Sequence, residues 1–299
     1  MDRTFGELLS SNKITYGFYI VSKTTMSVTF KNLKKGAVIF SELRKGPVWW
    51  EKFKADDSLY IEVRKDNNVN VYFEGGSIAR IHYCSKHKKL QVFTHYKYLG
   101  LDRSDRTYVE CSDIIGDKIA SVLELVKKKY SQKHSVNGVV PKEKWSEKYI
   151  QGNIILNSRD VHLDSEFAYK EGDTDIRIDL LRVVDGAVTF VELKRLDDAR
   201  MLKSTDESPE VVEQMIRYSE FIDKHKSDIL NYYKMLYEIK SNLGLPVPAS
   251  HPENVNINPE LLIFDRWEKS HPAREKHRRR MEELLSREGI AYKIVGDWK

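Results

Sequence analysis

The chain lacks the features that mark a secreted, membrane-spanning or repetitive protein. Two cysteines in 299 residues, Cys84 and Cys111, cannot build a disulfide framework. No stretch approaches the roughly 18 consecutive apolar residues of a membrane span, so no membrane association is expected. The opening Met-Asp-Arg-Thr-Phe-Gly-Glu-Leu-Leu-Ser has no basic region followed by an apolar core. A secretion signal is therefore not expected, and the cytoplasm is the expected compartment. There is no internal repeat and no low-complexity tract. Cys84 lies near His82 and His87, but one sulfur without a second cysteine nearby is a poor tetrahedral zinc set. Strand residues of mixed exposure are the expected reading there.

What is present describes a globular protein: 40% hydrophobic and 32% charged residues, too apolar for a disordered chain. The length suits two domains. Charge divides unevenly between them. Residues 1–143 carry 25 Lys or Arg against 16 Asp or Glu, a balance of +9, while residues 144–299 carry 25 against 29, a balance of −4. A basic front half suits a polyanionic partner, because phosphate neutralisation dominates nucleic-acid affinity. A generic basic surface is the competing reading.

The front half reads mainly as β. Short β-branched or aromatic runs at 13–23, 26–30, 37–43, 59–64, 69–74, 78–84 and 90–98 are separated by turn residues such as Asp66-Asn-Asn68 and Gly75-Gly76. Aromatic and basic residues interleave in Trp49-Trp50-Glu-Lys-Phe-Lys54 and His95-Tyr-Lys-Tyr98. Such arrays can stack bases, though half-core, half-surface strands are the commoner meaning. Residues 114–130 read as an amphipathic helix ending in Lys127-Lys-Lys129, and residues 131–144 as a linker. The expected organisation is a β-rich basic domain over 1–135 and a second domain over 144–299.

The most informative segment is Ile176-Arg-Ile-Asp-Leu-Leu-Arg-Val-Val-Asp-Gly-Ala-Val-Thr-Phe-Val-Glu-Leu-Lys194. Asp185-Gly186 between two β-rich runs predicts a two-residue type I′ hairpin, whose central residues both need positive φ. Such a loop sets the register: Val184 faces Ala187, Leu181 faces Phe190, Asp179 faces Glu192 and Lys194 faces Arg177. Strict alternation then puts Asp179, Glu192 and Lys194 on one face with Leu181, Val183, Val188 and Phe190, and Ile178, Leu180, Val191 and Leu193 on the other. Opposed carboxylates on a half-apolar face are costly unless paired or bound to a cation. A hard divalent cation would offset the repulsion, Mg²⁺ typically using one or two carboxylates plus water and phosphate oxygens. A salt bridge between Glu192 and Lys194 on a solvated strand is the competing reading. Ser208-Pro209-Glu210 then reads as a helix start, and Gln214 and Tyr218, four apart, share a face of that helix.

The order Asp179, Glu192-Leu-Lys194, Gln214 and Tyr218 resembles the PD-(D/E)xK nuclease superfamily, in particular its RecB-like members with a Gln-x-x-x-Tyr helix motif. The resemblance covers about residues 144–299. It implies a restriction-endonuclease-like α/β (α+β) core, a mixed central sheet flanked by helices, here preceded by the β-rich domain. It implies Asp179 and Glu192 as Mg²⁺ ligands (Mn²⁺ substituting), Lys194 as the catalytic lysine, and Gln214 with Tyr218 supporting the site or the DNA backbone. Members commonly place an acidic helix before the hairpin, and 145–156 fits, with Glu147 the candidate third acid; a helix-capping glutamate is the alternative for it. Residues 166–169, 260–265 and 291–295 read as further strands, 209–242 as a long helical region breaking near 224–227, and 271–288 as a basic helix. The proline of the superfamily's name is absent, since Arg177-Ile178 precedes Asp179. Asp175, of the same parity, competes with Asp179 as the first acid.

These readings converge on a metal-dependent endonuclease or exonuclease hydrolysing DNA phosphodiesters, RNA being the lesser candidate substrate and a homodimer a compatible assembly. The alternatives are a nuclease-fold protein that binds nucleic acid or a partner without cutting, since fold does not determine function, and a hydrolase of another phosphate ester.

Overall fold

The computed structural model describes residues 32–99, 108–111, 120–121, 123–128, 141–171, 174–201, 209–267 and 271–297. The expected strands 13–23 and 26–30, most of the linker and Ser208 lie outside them. The described front half opens with two short helices, α1 (Val38–Arg44) and α2 (Val48–Ala55). The expected strand at 37–43 and the half-core strand reading of 49–54 are both corrected here. The apolar residues that become buried are Ile39, Phe40 and Leu43, then Trp50 and Phe53. That is helical spacing, and it outweighs the local β-branched composition. Of the helix expected over 114–130, residues 120–121 and 123–128 are helical, with Leu123 and Val126 buried.

Strands β1 (Leu59–Val63), β2 (Val69–Phe73), β3 (Gly76–Cys84), β4 (Lys89–His95) and β5 (Tyr108–Glu110) follow as an antiparallel meander in chain order. The remainder is α3 (Glu147–Asn157), β6 (His162–Glu171), β7 (Thr174–Val184), β8 (Ala187–Arg195), α4 (Glu210–Lys224), α5 (Lys226–Asn242), β9 (Asn254–Val255), β10 (Glu260–Phe264), α6 (Pro272–Arg287) and β11 (Tyr292–Val295). Its sheet runs β11-β10-β8-β7-β6, with β9 also on β8. Pairing is antiparallel from β6 to β8 and parallel among β8, β9, β10 and β11. The protein is therefore α+β, with an antiparallel and a mixed sheet flanked by helices. The long helical region breaks at His225, between α4 and α5.

The Asp-Gly hairpin forms as expected. Asp185 and Gly186 have φ of 49° and 78°, and the ladder pairs Val184 with Ala187, Leu181 with Phe190 and Leu180 with Val191. Leu180 and Val191 pack with Tyr60, Tyr72 and Ile155 on one side of the sheet. Leu181, Val183, Val188 and Phe190 enter the main core with residues of α4 and α5.

The two halves are packed together closely. Gly75, at φ 79°, abuts α3, where an added Cβ would sit 1.8 Å from the Lys148 carbonyl oxygen, and a Cβ on Gly152 would sit 2.5 Å from the Gly75 nitrogen. Beside this steric lock lies a buried polar network. Glu62 of β1 receives Lys240 Nζ of α5 at 3.0 Å and contacts His162 Nε2 of β6 at 2.7 Å. Lys240 also donates to the Leu163 carbonyl at 2.8 Å. Arg64 donates to Asp164 at 3.2 Å, and Tyr233 of α5 donates to the other oxygen of Asp164 at 3.2 Å. Burial alone would raise the Glu62 carboxyl, but Lys240 and His162 hold it well below the ordinary range.

Two stability outcomes follow. Gly75→Ala is expected to lower stability by about 2 kcal/mol or more, because both the positive φ and the Lys148 carbonyl oppose a methyl group; urea denaturation with unchanged stability would show that the turn does not bear on α3. Lys240→Met is expected to cost about 3–5 kcal/mol by leaving a buried carboxylate without its ammonium, and the double variant with Glu62→Gln to recover most of that. Equal stability of the single and double variants in the same assay would contradict the pairing.

Candidate active site

The hairpin ladder that sets the register ends early. Its last recorded pair is Leu180 with Val191; beyond it the Leu193 N–H donates not to β7 backbone but to Asp179 Oδ2, at 2.9 Å. On the far side of β7, Glu166 stands opposite Asp179 at φ 52°, and the β6–β7 register passes from Ser165–Leu180 to Phe167–Ile178 without a pair between them. The sheet is thus forked at Asp179. Two side chains reach backbone carbonyls of β7 at this point. Gln151 Nε2 of α3 donates to the Asp179 carbonyl at 2.7 Å, and the Tyr218 hydroxyl of α4 donates to the Arg177 carbonyl.

The fork also corrects the face assignment. Ile178 clusters with Phe167 and Phe190 in the main core, whereas Leu180 lies on the opposite side. Alternation along β7 therefore breaks between Ile178 and Leu181, at the point where Asp179 turns its carboxylate into the plane between the strands. The expected cross-strand pairs Asp179 with Glu192 and Arg177 with Lys194 do not form in the ladder; the strands part before them.

Three of the expected site residues meet at one carboxylate, and a fourth, Tyr218, braces one of them. Glu192, 3% exposed, receives Lys194 Nζ on Oε1, and Gln214 Nε2 donates to the same oxygen at 2.8 Å. Gln214 also donates to the Tyr218 hydroxyl at 2.5 Å. Lys194 is 1% exposed and makes a second bond to the Leu193 carbonyl at 3.2 Å. The other Glu192 oxygen, Oε2, is buried and has no hydrogen-bond partner among the described residues. A buried carboxylate oxygen in that condition is costly. The salt bridge read as an alternative is present, but it is buried and satisfies only half of the carboxylate.

The field on this group follows from its surroundings. The Glu192 carboxyl is raised to about 7, by burial first and then by the Asp179 charge, with Lys194 opposing both. Burial likewise raises Asp179, against Lys194 and the Leu193 amide. Glu147, the first residue of α3, is raised by burial and then by Asp179, so all three expected acids share one field. Asp175 does not join them: its side chain is exposed and paired with Arg177 at 3.2 Å. The structure places Asp179, not Asp175, beside Glu192.

Among the described residues no group of three His, Cys, Asp or Glu side chains is arranged as a ready-made metal cage, at the acids or at Cys84. The donor set instead suits a hard cation that takes one or two carboxylates and fills its shell with water and phosphate oxygens. Glu192 Oε2 is the atom that lacks a partner, and Asp179, whose Oδ2 is held by Leu193, is the charge beside it.

Sequence reasoning passed over Gln151 and Arg200. Gln151 lies four residues after Glu147 and so on the same helix face, a spacing that could have revealed it. Arg200 lies in the polar stretch after β8, where its guanidinium grips Asp198 with Nε at 2.9 Å and Nη2 at 2.7 Å, and approaches Glu147 at 4.0 Å. Comparison with protein-family models, with curated proteins and with solved structures finds no match for the chain.

The acid set generates a pH prediction. An acid whose folded value is raised favours the fold below its ordinary value near 4.5 and loses that contribution as pH rises through about 7. The metal-free protein is therefore expected to lose thermal stability between pH 5.5 and pH 8. Added Mg²⁺ or Mn²⁺ is expected to restore it at pH 8, by about 2.7 kcal/mol at a hundredfold excess over the dissociation constant, and to do little at pH 5.5. Melting curves with no cation-dependent shift at pH 8 would remove the acids as a metal site.

Proposed function

We propose that the protein is a metal-dependent nuclease that hydrolyses phosphodiester bonds of DNA, with the resemblance to the PD-(D/E)xK superfamily as its framework. The observation that carries the reading is the buried Oε2 of Glu192, without a hydrogen-bond partner among the described residues, on a carboxylate already gripped by Lys194 and Gln214 and sharing its field with Asp179 and Glu147. A carboxylate built only for a salt bridge has no reason to leave one oxygen bare in the interior.

In this reading Asp179 and Glu192 hold the cation, with Glu147 the third acid at the entrance. When bound, Mg²⁺ or Mn²⁺ supplies Lewis-acid stabilisation of charge developing on the phosphate oxygens. The protein's own groups do the positioning. The Leu193 amide and the Gln151 side chain fix the carboxylate and the carbonyl of Asp179. Gln214, braced by Tyr218, fixes Oε1 of Glu192 and leaves Oε2 without a partner among the described residues. Lys194 brings the positive charge that orients the attacking water and balances the phosphate. Its burial excludes bulk water from that charge and strengthens it. The +9 balance of residues 1–143 supplies attraction for a polyanion that the acidic half cannot.

One observation favours the second reading, a nucleic-acid-binding protein that does not cut: Lys194 is 1% exposed and committed to Glu192 and Leu193. Cleavage of plasmid, linear duplex and single-stranded DNA with Mg²⁺ or Mn²⁺ separates the two. Cutting is expected from the intact protein, with a loss of about 100-fold or more in Lys194→Ala and in Asp179→Asn. Asp175→Asn is expected to cut like the intact protein. DNA retention that weakens with salt, with no cleavage of any substrate, would establish the binding reading instead.

A further inference from the structure

The acid set leaves open which group receives the substrate phosphate, since Lys194, the cation bonded to Glu192, is sealed inside. Arg200 is differently placed. The backbone around it is tied at three points: the Asp198 amide donates to the Arg195 carbonyl at 2.9 Å, the Met201 amide to the Asp198 carbonyl at 3.0 Å, and the Val211 amide, at the start of α4, to the Arg200 carbonyl at 3.3 Å. Met201 is fully buried beside it. The side chain is also fixed, because Nε and Nη2 bind the two oxygens of Asp198, which also accepts the Arg200 amide at 2.9 Å. Nη1 has no protein partner among the described residues, and 45% of the side chain is open to solvent. The guanidinium lies within the field of Glu147 and Glu192 and of Asp179. An arginine held by one edge, with a free N–H at the mouth of an acidic cluster, is prepared for an anion that reaches those acids.

We propose that Arg200, oriented by Asp198, is the phosphate-binding residue of this site, donating from Nη1 to a non-bridging oxygen of a DNA backbone phosphate. The inference rests on the nucleic-acid hydrolase reading and adds the contact that seats the substrate. The neighbouring arginines do not serve the purpose. Arg266 is bound to Asp197 and to the Trp145 carbonyl, and Arg195 faces Asp197 at 3.7 Å.

The test compares the intact protein with Arg200→Lys, Arg200→Ala and Asp198→Asn, using a DNA duplex for cleavage and for binding across a salt series, and Mg²⁺-dependent melting as a control on the acids. Arg200→Ala is expected to lower kcat/KM by about 100-fold and to reduce the slope of log affinity against log salt by about one phosphate contact. Its Mg²⁺-dependent melting shift is expected to persist. Arg200→Lys is expected to recover the salt slope and only part of the rate, since a lysine keeps the charge and loses the fork. Asp198→Asn is expected to cost about tenfold with the slope intact, because the guanidinium stays charged but less fixed. Cleavage by Arg200→Ala within about twofold of the intact protein, with an unchanged slope, overturns the clamp while the nuclease reading stands. So does a loss of activity that comes with loss of the Mg²⁺ shift, which would make Arg200 a support for the acids. If the intact protein cuts no DNA, the nuclease reading fails by itself; the binding slope then decides, a drop in Arg200→Ala upholding the contact and no drop overturning it.

Discussion

Glu192 carries a carboxylate into the interior with one oxygen held by an ammonium and an amide and the other without a partner among the described residues. Most of the surrounding architecture answers to that group. A regular ladder between β7 and β8 would set two carboxylates directly across from each other, a destabilising arrangement. The strands part there, and Asp179 turns aside to take the Leu193 amide. Gln151 from α3 and Tyr218 from α4 donate to the β7 carbonyls of Asp179 and Arg177 beside this point, so helices on both sides of the sheet are drawn to the same few residues. The Gln214–Tyr218 pair then joins β7 to the carboxylate: Gln214 donates to Glu192 and to the Tyr218 hydroxyl, which donates to the Arg177 carbonyl.

The first module bears on this arrangement through α3. That helix carries Glu147 in its first turn and Gln151 one turn later, and the Gly75 turn presses against Lys148 and Gly152 between and beyond them. A displacement of the turn displaces the helix, and with it the amide that holds the Asp179 carbonyl. The buried network of Glu62, Lys240, His162, Arg64 and Asp164 fixes the same relation from the side of β6 and α5. Buried ion pairs add little net stability compared with apolar residues of similar size, but they penalise misalignment heavily. Their placement between modules suits a role in setting orientation.

How far this was legible depends on what each residue's signal is made of. The hairpin register was readable because Asp185-Gly186 admits few turn geometries, and α4, the break near His225, the end of α5 at Asn242 and the basic helix α6 were readable from periodicity and breakers. The grouping of Glu192, Lys194, Gln214 and Tyr218 was readable from their order. The fork was not, because nothing local to Asp179 announces that Glu166 will take a positive φ or that a distant glutamine will replace a ladder bond. The helices α1 and α2 were misread as strands because β-branched and aromatic residues dominate them, although the spacing of Ile39, Phe40 and Leu43, and of Trp50 and Phe53, is helical. The network between the two sheets has no sequence signature at all. Glu62 and Arg64 lie 100 residues from His162 and Asp164, and Glu62 lies 178 from Lys240, and only the fold makes them neighbours.

The distribution of cations around the acids follows from the same constraint. Lys194 must be buried if it is to relieve Glu192, and a buried ammonium tied to a carboxylate and a carbonyl is poorly placed to collect a substrate from water. Collection then falls to a charge outside, and that charge must not collapse onto the acids it guards. Asp198 prevents this by holding the guanidinium of Arg200 with two hydrogen bonds, so that its approach to Glu147 stops at 4.0 Å. On the proposed nuclease reading the two cations divide the work: Lys194 makes a dense cluster of carboxylates tolerable in the fold, and Arg200 keeps Nη1, without a partner among the described residues, where an incoming phosphate would meet those carboxylates.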